Sequence, residues 1–198
     1  MIGKKGITLS KTSKIHDMAL GADDLIDLGL LKHHVHILDG EIVEDNIKEA
    51  IKWIIFENID EREKELTLYI NSEGGSLCDA FALIDIMCSS KHPIRTIGMG
   101  NVMSSAFLIF VAGTKGRRYL TKNTSILCHQ FSTNTEGKYH ELKATLHENE
   151  NANNRIIGFL RERTNLSTKT IKTKLLPPSD VWLTVNKAIE LGIADHIL

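Results

Sequence analysis

Three short stretches of this chain carry the residue types that acyl transfer needs, and each follows a strand-like run. Ser104 and Ser105 come after Arg95-Thr96-Ile97-Gly98 and lead into Ala106-Phe107-Leu108-Ile109-Phe110-Val111-Ala112, a stretch with no polar face. His129 ends Ser125-Ile126-Leu127-Cys128, and Gly74-Gly75 follows the run ELTLYIN at residues 65–71. Attack of a hydroxyl on a carbonyl requires a nucleophile, a base for its proton, and donors for the developing oxyanion. A serine in the first turn of a helix sits beside unpaired backbone N–H groups, where an oxyanion can be held. Histidine titrates near neutral pH and suits the base. Paired glycines let backbone N–H groups approach a ligand closely. Each group also has a plainer reading: a serine N-cap, a structural histidine, an ordinary Gly-Gly turn. Their joint position favours chemistry, because α/β sheets collect functional groups beyond the C-terminal ends of parallel strands.

The elements that must hold these groups are legible as an alternation. Residues 35–38 form a short strand closed by Asp39-Gly40. Ile47, Ala50, Ile51, Ile54 and Ile55 recur at helical spacing. The strand at 65–71 is followed by a helix over 77–89, and Pro93 precedes a strand over 94–99. The serine-led helix comes next, then strands at 119–120 and 125–128. Strands alternating with helices predict an α/β layer structure with parallel strands. Beyond His129 the chain turns polar: a loop from residue 131, then a long helix over about 141–164 with a thin apolar stripe at Leu142 and Leu146 that Ile156, Ile157, Phe159 and Leu160 continue inward. Such a stripe needs a partner to cover it. A short helix over 167–176 ends at Pro177-Pro178, and a helix (185–191) and strand (193–198) close the domain. Residues 1 to about 25 lack a clear period and read as an arm or loop.

Length and composition bound the rest. The chain has 198 residues, 42% hydrophobic and 25% charged, which suits one compact domain. A net charge of −1 and the lack of a basic cluster make nucleic acid an unexpected partner. No apolar run reaches membrane-spanning length, and no apolar stretch follows the charged start, so neither a membrane span nor a secretory signal is expected. Cys78, Cys88 and Cys128 lack metal-like spacing and suit a reducing, cytoplasmic setting. His33, His34 and His36 read as the polar side of a strand rather than a metal site. The G-x-S-x-G elbow, the Walker loop, the Rossmann glycines, HExxH and CxxC are all absent from the sequence.

Several ordered motifs together resemble the ClpP family of serine peptidases. They are Tyr69-Ile70-Asn71-Ser72-Glu73-Gly74-Gly75, Gly100-Asn101-Val102-Met103-Ser104-Ser105-Ala106-Phe107-Leu108, Ala112-Gly113-Thr114-Lys115-Gly116-Arg117-Arg118-Tyr119 and Cys128-His129-Gln130. The resemblance implies a ClpP/crotonase-like fold of stacked ββα layers over residues 26–198, with a protruding helical handle at about 131–164 and an axial arm at 1–25. It implies Ser104 as nucleophile and His129 as general base. Asp180, in Asp180-Val181-Trp182-Leu183-Thr184, becomes the triad acid. It implies backbone donors at Gly75 and Ser105, with substrate lying as an added strand beside Gly74 and Gly75. It implies a homo-oligomer of two stacked heptameric rings, polypeptide substrate, and an AAA+ unfoldase docked at Tyr69, Ile97, Met99, Tyr119 and Leu198. Neither metal nor cofactor is implied.

The chain departs from the family pattern at defined places. Glu73 stands where proline is usual, and Ser105-Ala106 where Met-Gly is usual. Phe131 to Gly137 replaces a proline- and glycine-rich handle segment. Pro177-Pro178-Ser179 occupies a stretch that commonly carries an arginine coupled to ring pairing. Thr67, Ser89 and Thr121 fall where the docking pocket is usually more apolar, so altered unfoldase docking is expected. The alternatives are a catalytically silent ring subunit and a crotonase-like acyl-CoA enzyme. The first would lack a member of the triad; the second does not use a serine–histidine pair.

Overall fold

The computed structural model describes residues 21–198. The arm expected over residues 1–25 lies outside the described residues up to position 20. From Ala22 the chain is already helical: α1 (Ala22–Lys32) leads into β1 (Val35–Asp39), α2 (Glu44–Glu57), β2 (Leu66–Ser72) and α3 (Leu77–Ser89). There follow β3 (Ile94–Met103), α4 (Ser105–Val111), β4 (Arg118–Leu120) and β5 (Ser125–Cys128). The last part comprises α5 (Tyr139–Thr164), α6 (Thr168–Thr170) with a π-helical turn at Ile171–Leu175, β6 (Val181–Leu183), α7 (Val185–Glu190) and β7 (His196–Ile197).

The strands form one sheet with the path β1-β2-β3-β4-β7, all parallel. Parallel neighbours need crossover connections, and α2, α3 and α4 supply them. Alternation along β2 buries Leu66, Leu68, Ile70 and Ser72 on one face. The core joins that face to Ala50 and Ile54 of α2, Leu83 and Ile84 of α3, and the whole of α4, from Ser105 to Val111 buried. The mixed α/β architecture expected from the alternation is the one observed.

One strand is longer than its sequence suggests. Residues 94–99 read as a strand that Gly100 should end; β3 instead runs on to Met103. Gly100 takes φ +55°, and the Asn71 side-chain oxygen accepts the Asn101 N–H at 2.9 Å, which bridges a register shift between Ile70 and Ser72. The two halves of β3 therefore serve different neighbours. Thr96–Gly98 pairs with β4, whereas Asn101, Val102 and Met103 pair with Ser125, Ile126 and Leu127 of β5. Strand β6 was not visible in sequence either; it pairs antiparallel with β5, Cys128 opposite Val181.

Helix α5 has 26 residues and so measures about 39 Å at 1.5 Å per residue. Its second half is anchored by Ala152, Ile156, Ile157 and Leu160, all buried, while Tyr139, Leu142 and Leu146 near its start stay exposed. The stripe seen in sequence thus splits into an anchored half and an uncovered one. Asp195, just before β7, fixes the far edge. It accepts from Nε of the buried Arg118 at 2.9 Å and from Nη2 at 2.6 Å, and also from the backbone N–H groups of Gly116 and Arg118. Burial alone would raise the Asp195 carboxyl, but the Arg118 hydrogen bonds and charge, with the backbone donors, outweigh it and hold it below the usual carboxylate range.

A depressed folded-state pKa adds stability above the ordinary carboxylate value of about 3.9, and that stability is lost as pH falls through the folded value. Asp195→Ala leaves a buried guanidinium uncompensated and is expected to lower unfolding free energy at pH 7 by about 3 kcal/mol or more in urea titration. The gap from wild type should narrow as pH falls below about 4; a gap independent of pH would show that the ion pair is not its source.

Candidate active site

Pairing of Met103 with Leu127 sets the ends of β3 and β5 side by side; Ser104 follows Met103 directly, and His129 stands two residues beyond Leu127, just past the end of β5. Ser104 adopts φ 53° and ψ −124°, a conformation that L-residues rarely take and that costs on the order of 1–3 kcal/mol. It is held there from both sides: its N–H donates to the Leu127 carbonyl at 3.0 Å, and its own carbonyl accepts the Phe107 N–H at 3.1 Å. Ser104 stands at the N-cap position of α4, yet its side chain makes no capping bond. The hydroxyl instead lies 2.8 Å from Nε2 of His129. The N-cap reading of this serine therefore fails, because its oxygen is used by an imidazole 25 residues further on.

The glycine pair is fixed by contact. A Cβ at Gly74 (φ +98°) would fall 2.6 Å from Cβ of Ser104 and 2.9 Å from the Met103 oxygen. A Cβ at Gly75 (φ +149°) would run into the Ile42 carbonyl. Ile42 forms a parallel bridge to Gly75: its N–H donates to the Gly74 oxygen at 2.8 Å, and its oxygen accepts the Ser76 N–H at 2.8 Å. A parallel bridge of this kind uses groups on either side of Gly75 and turns the Gly75 N–H the other way. Among the described residues neither that N–H nor the Ser105 N–H has an acceptor. Both residues line the cavity that holds Ser104 and His129.

The cavity has a volume of about 240 Å³. Beyond the polar mouth its walls are apolar, with Leu77 from α3, Phe107 and Leu108 from α4, Ile156 and Leu160 from α5, and Leu176 after the π-helical turn. The Gln130 amide donates to the Leu176 carbonyl at 3.0 Å and ties that wall to the end of β5. Ile156 and Leu160 are legible in sequence as the inward end of the α5 stripe, but nothing in that stripe, or around Leu176, indicates a cavity. Cys128, beside His129, is buried among apolar groups that push its thiol up, which removes it as a competing nucleophile.

Asp180 is not brought to the imidazole. Continuing the β5–β6 ladder past the Cys128–Val181 pair sets Asp180 opposite His129, but the aspartate is exposed, and among the described residues it has neither a hydrogen bond nor an ion pair. The five expected docking residues are partly gathered. Tyr69, Ile97 and Tyr119 are successive register partners across β2, β3 and β4, with His196 of β7 next in the row. Ile97 is buried, Tyr69, Met99 and Tyr119 are half-buried, and Leu198 is exposed. The row is less apolar than a greasy slot: the Arg95 guanidinium stands 5.3 Å from the centre of the Tyr119 ring, and the His196 ring 4.7 Å away. No helix among the described residues is long and apolar enough to cross a membrane.

A strained serine at a strand end, a histidine within hydrogen-bond reach and two backbone donors without acceptors among the described residues are the kinds of group that acyl transfer through a hydroxyl requires in an α/β protein. Comparison with known proteins narrows this. The family model described as Clp protease matches residues 21–198. The chain is 27% identical over 169 residues to "ATP-dependent Clp protease proteolytic subunit 2" of Bacillus licheniformis, covering 85% of this chain and 88% of that protein. It is 29% identical over 168 residues to "ATP-dependent Clp protease proteolytic subunit 1" of Leifsonia xyli subsp. xyli, covering 85% of this chain and 84% of that protein. This chain belongs to the Clp protease family, and its fold is the one that family shares.

Contact of Gly74 with the serine makes a direct prediction. Gly74→Ala should slow fluorophosphonate labelling of Ser104 by roughly a hundredfold, the effect of displacing a reacting atom by about 1 Å. Gly116→Ala, also at positive φ (+84°) but with nothing within 4 Å of the added methyl, should label as wild type does. Equal labelling of Gly74→Ala and wild type would show that the Gly74–Ser104 contact does not set the site.

Proposed function

We propose that the chain is a serine endopeptidase, the proteolytic subunit of a self-compartmentalising ring protease that hydrolyses polypeptides fed to it by an AAA+ unfoldase. The observation that carries this reading is the 2.8 Å approach of the Ser104 hydroxyl to Nε2 of His129, made by a serine held in strained backbone. With the imidazole proton on Nδ1, Nε2 takes the hydroxyl proton as Oγ attacks the substrate carbonyl. The Gly75 and Ser105 N–H groups receive the oxyanion. His129 then returns the proton to the leaving amine, and water attacks the acyl-enzyme by the same route in reverse. The edge at Gly74 and Gly75 receives substrate as an added strand. No step calls for a metal or cofactor.

Asp180 is our choice for the acid that orients the imidazole, on the strength of its register position opposite His129. Its side chain has to turn inward for that role. The exposed apolar groups Leu25, Ile26 and Leu28 on α1, Ile55 and Phe56 on α2, and Leu142 and Leu146 on α5 support assembly with further copies of the chain. Stacked heptameric rings are the arrangement the family resemblance suggests. The row Tyr69, Ile97, Met99, Tyr119 and Leu198 is our docking surface for the unfoldase, with binding altered by the basic groups beside Tyr119. A second reading, a catalytically silent ring subunit, is favoured by the one observation that Asp180 and His129 make no contact.

Peptide hydrolysis by purified protein separates the two. Ser104→Ala and His129→Ala should each lower kcat/KM by about 10⁴-fold or more while leaving the assembly's sedimentation unchanged. Wild-type turnover no faster than that of Ser104→Ala would establish the silent subunit. Asp180→Ala should lose roughly 10⁴-fold in kcat; near-normal turnover would remove Asp180 from the triad.

A further inference from the structure

Of the hydroxyl-bearing residues that line the reactive cavity and that the proposed mechanism does not use, Ser76, Ser105 and Ser132, Ser105 directly follows the nucleophile. Ser105 is 3% exposed and lines the cavity beside Ser104. Its backbone N–H is assigned to the oxyanion, but its hydroxyl is buried and has no hydrogen-bond partner among the described residues. Buried hydroxyls without partners are rare, because nothing replaces the lost hydration. At this point the sequence also departs from the family pattern, which usually has methionine. A serine side chain has a single rotor, so recognition of a ligand by this hydroxyl requires a turn about χ1 to another staggered position. The cavity offers it nothing of its own kind at depth, since Ile156, Leu160 and Leu176 are apolar.

Resting on the serine-peptidase reading, we propose that the Ser105 hydroxyl is a specificity determinant: it lets the pocket for the residue before the cleaved bond accept asparagine in place of its isostere leucine. Two arguments fix the depth of the group recognised. Ser105 directly follows the nucleophile, so its Cα stands close to the carbonyl under attack. Its oxygen lies one bond from Cβ and cannot reach the floor. The substrate atom it meets is therefore near the root of the side chain, where asparagine carries its amide. A tyrosine hydroxyl, at the far end of a ring, lies beyond it. Leucine leaves the Ser105 hydroxyl unpaired; asparagine supplies both a donor and an acceptor.

The test uses the full-length assembled protein and four fluorogenic peptides identical except for Leu, Asn, Phe or Tyr before the cleaved bond. The Asn/Leu ratio of kcat/KM should fall roughly five- to tenfold in Ser105→Ala, the factor that one neutral hydrogen bond gives. The Tyr/Phe ratio should not move. Ser105→Thr, which keeps the hydroxyl, should retain the wild-type Asn/Leu ratio. Ratios within one variant cancel any change in the amount of active enzyme. An unchanged Asn/Leu ratio in Ser105→Ala overturns the inference while leaving the peptidase reading intact. A shift in the Tyr/Phe ratio instead overturns it by placing the hydroxyl at the floor. Failure of wild type to cleave all four peptides, with no fluorophosphonate labelling of Ser104, overturns both. Cleavage of the leucine peptide with no detectable asparagine cleavage by wild type overturns this inference alone.

Discussion

The site depends on β3 changing partners part-way along its length. Its first half is an ordinary member of the parallel sheet, between β2 and β4. Past Gly100 the strand leaves β4 and takes up β5, and only this second pairing sets Met103 beside Leu127 and hence Ser104 within reach of His129. The switch is made locally. Gly100 adopts a positive φ, and the Asn71 side chain takes the N–H that the shifted register would otherwise leave without an acceptor.

The β-layer elements that carry this switch were legible in sequence, and the switch itself was not. Strands at 65–71, 94–99 and 125–128 and the helix at 77–89 follow from period and composition, because their apolar residues recur at the spacing of the element they form. The alternation along β2 is a direct case, with every second residue buried from Leu66 to Ser72. The continuation of β3 through Asn101 and Val102 was hidden because glycine and asparagine weaken a strand locally, and the compensating hydrogen bond comes from a side chain 30 residues away. Helix α1 has no buried residue, so no covered face in this chain announces it. Strand β6 is three residues long with Trp182 exposed, too short to show a period.

The same reasoning separates the two reactive residues from the acid. Ser104 and His129 each end a parallel strand, so sheet geometry alone forces their neighbourhood. Asp180 precedes an antiparallel strand appended to the outer edge of β5. Register sets its backbone opposite His129, but no packed element sets its rotamer, because it stands in an exposed stretch between Pro178 and Val181. Sequence resemblance could nominate the residue; side-chain placement there depends on whatever covers that edge. The exposed start of α5 and the exposed Trp182 belong to the same uncovered side of the problem.

Several local rules are broken together where the chemistry is assigned. Ser104 carries a left-handed φ without being glycine, and it occupies an N-cap position without capping. Gly74 and Gly75 give up side chains to let Ser104 and Ile42 approach. Ser105 buries an unpaired hydroxyl. Each departure costs on the order of 1–3 kcal/mol, and a domain's net stability is only about 5–15 kcal/mol. They are tolerable together because they share one anchor: α4 is buried along its entire length, from Ser105 to Val111, against the sheet and α3. Returning the Ser104 backbone to an ordinary conformation would redirect the start of α4 and pull on Phe107, Ile109 and Phe110, at about 1.5–3 kcal/mol for each apolar side chain exposed. Strain at the nucleophile is thus stored by hydrophobic burial immediately downstream of it, and the helix without a polar face is what holds the serine in place.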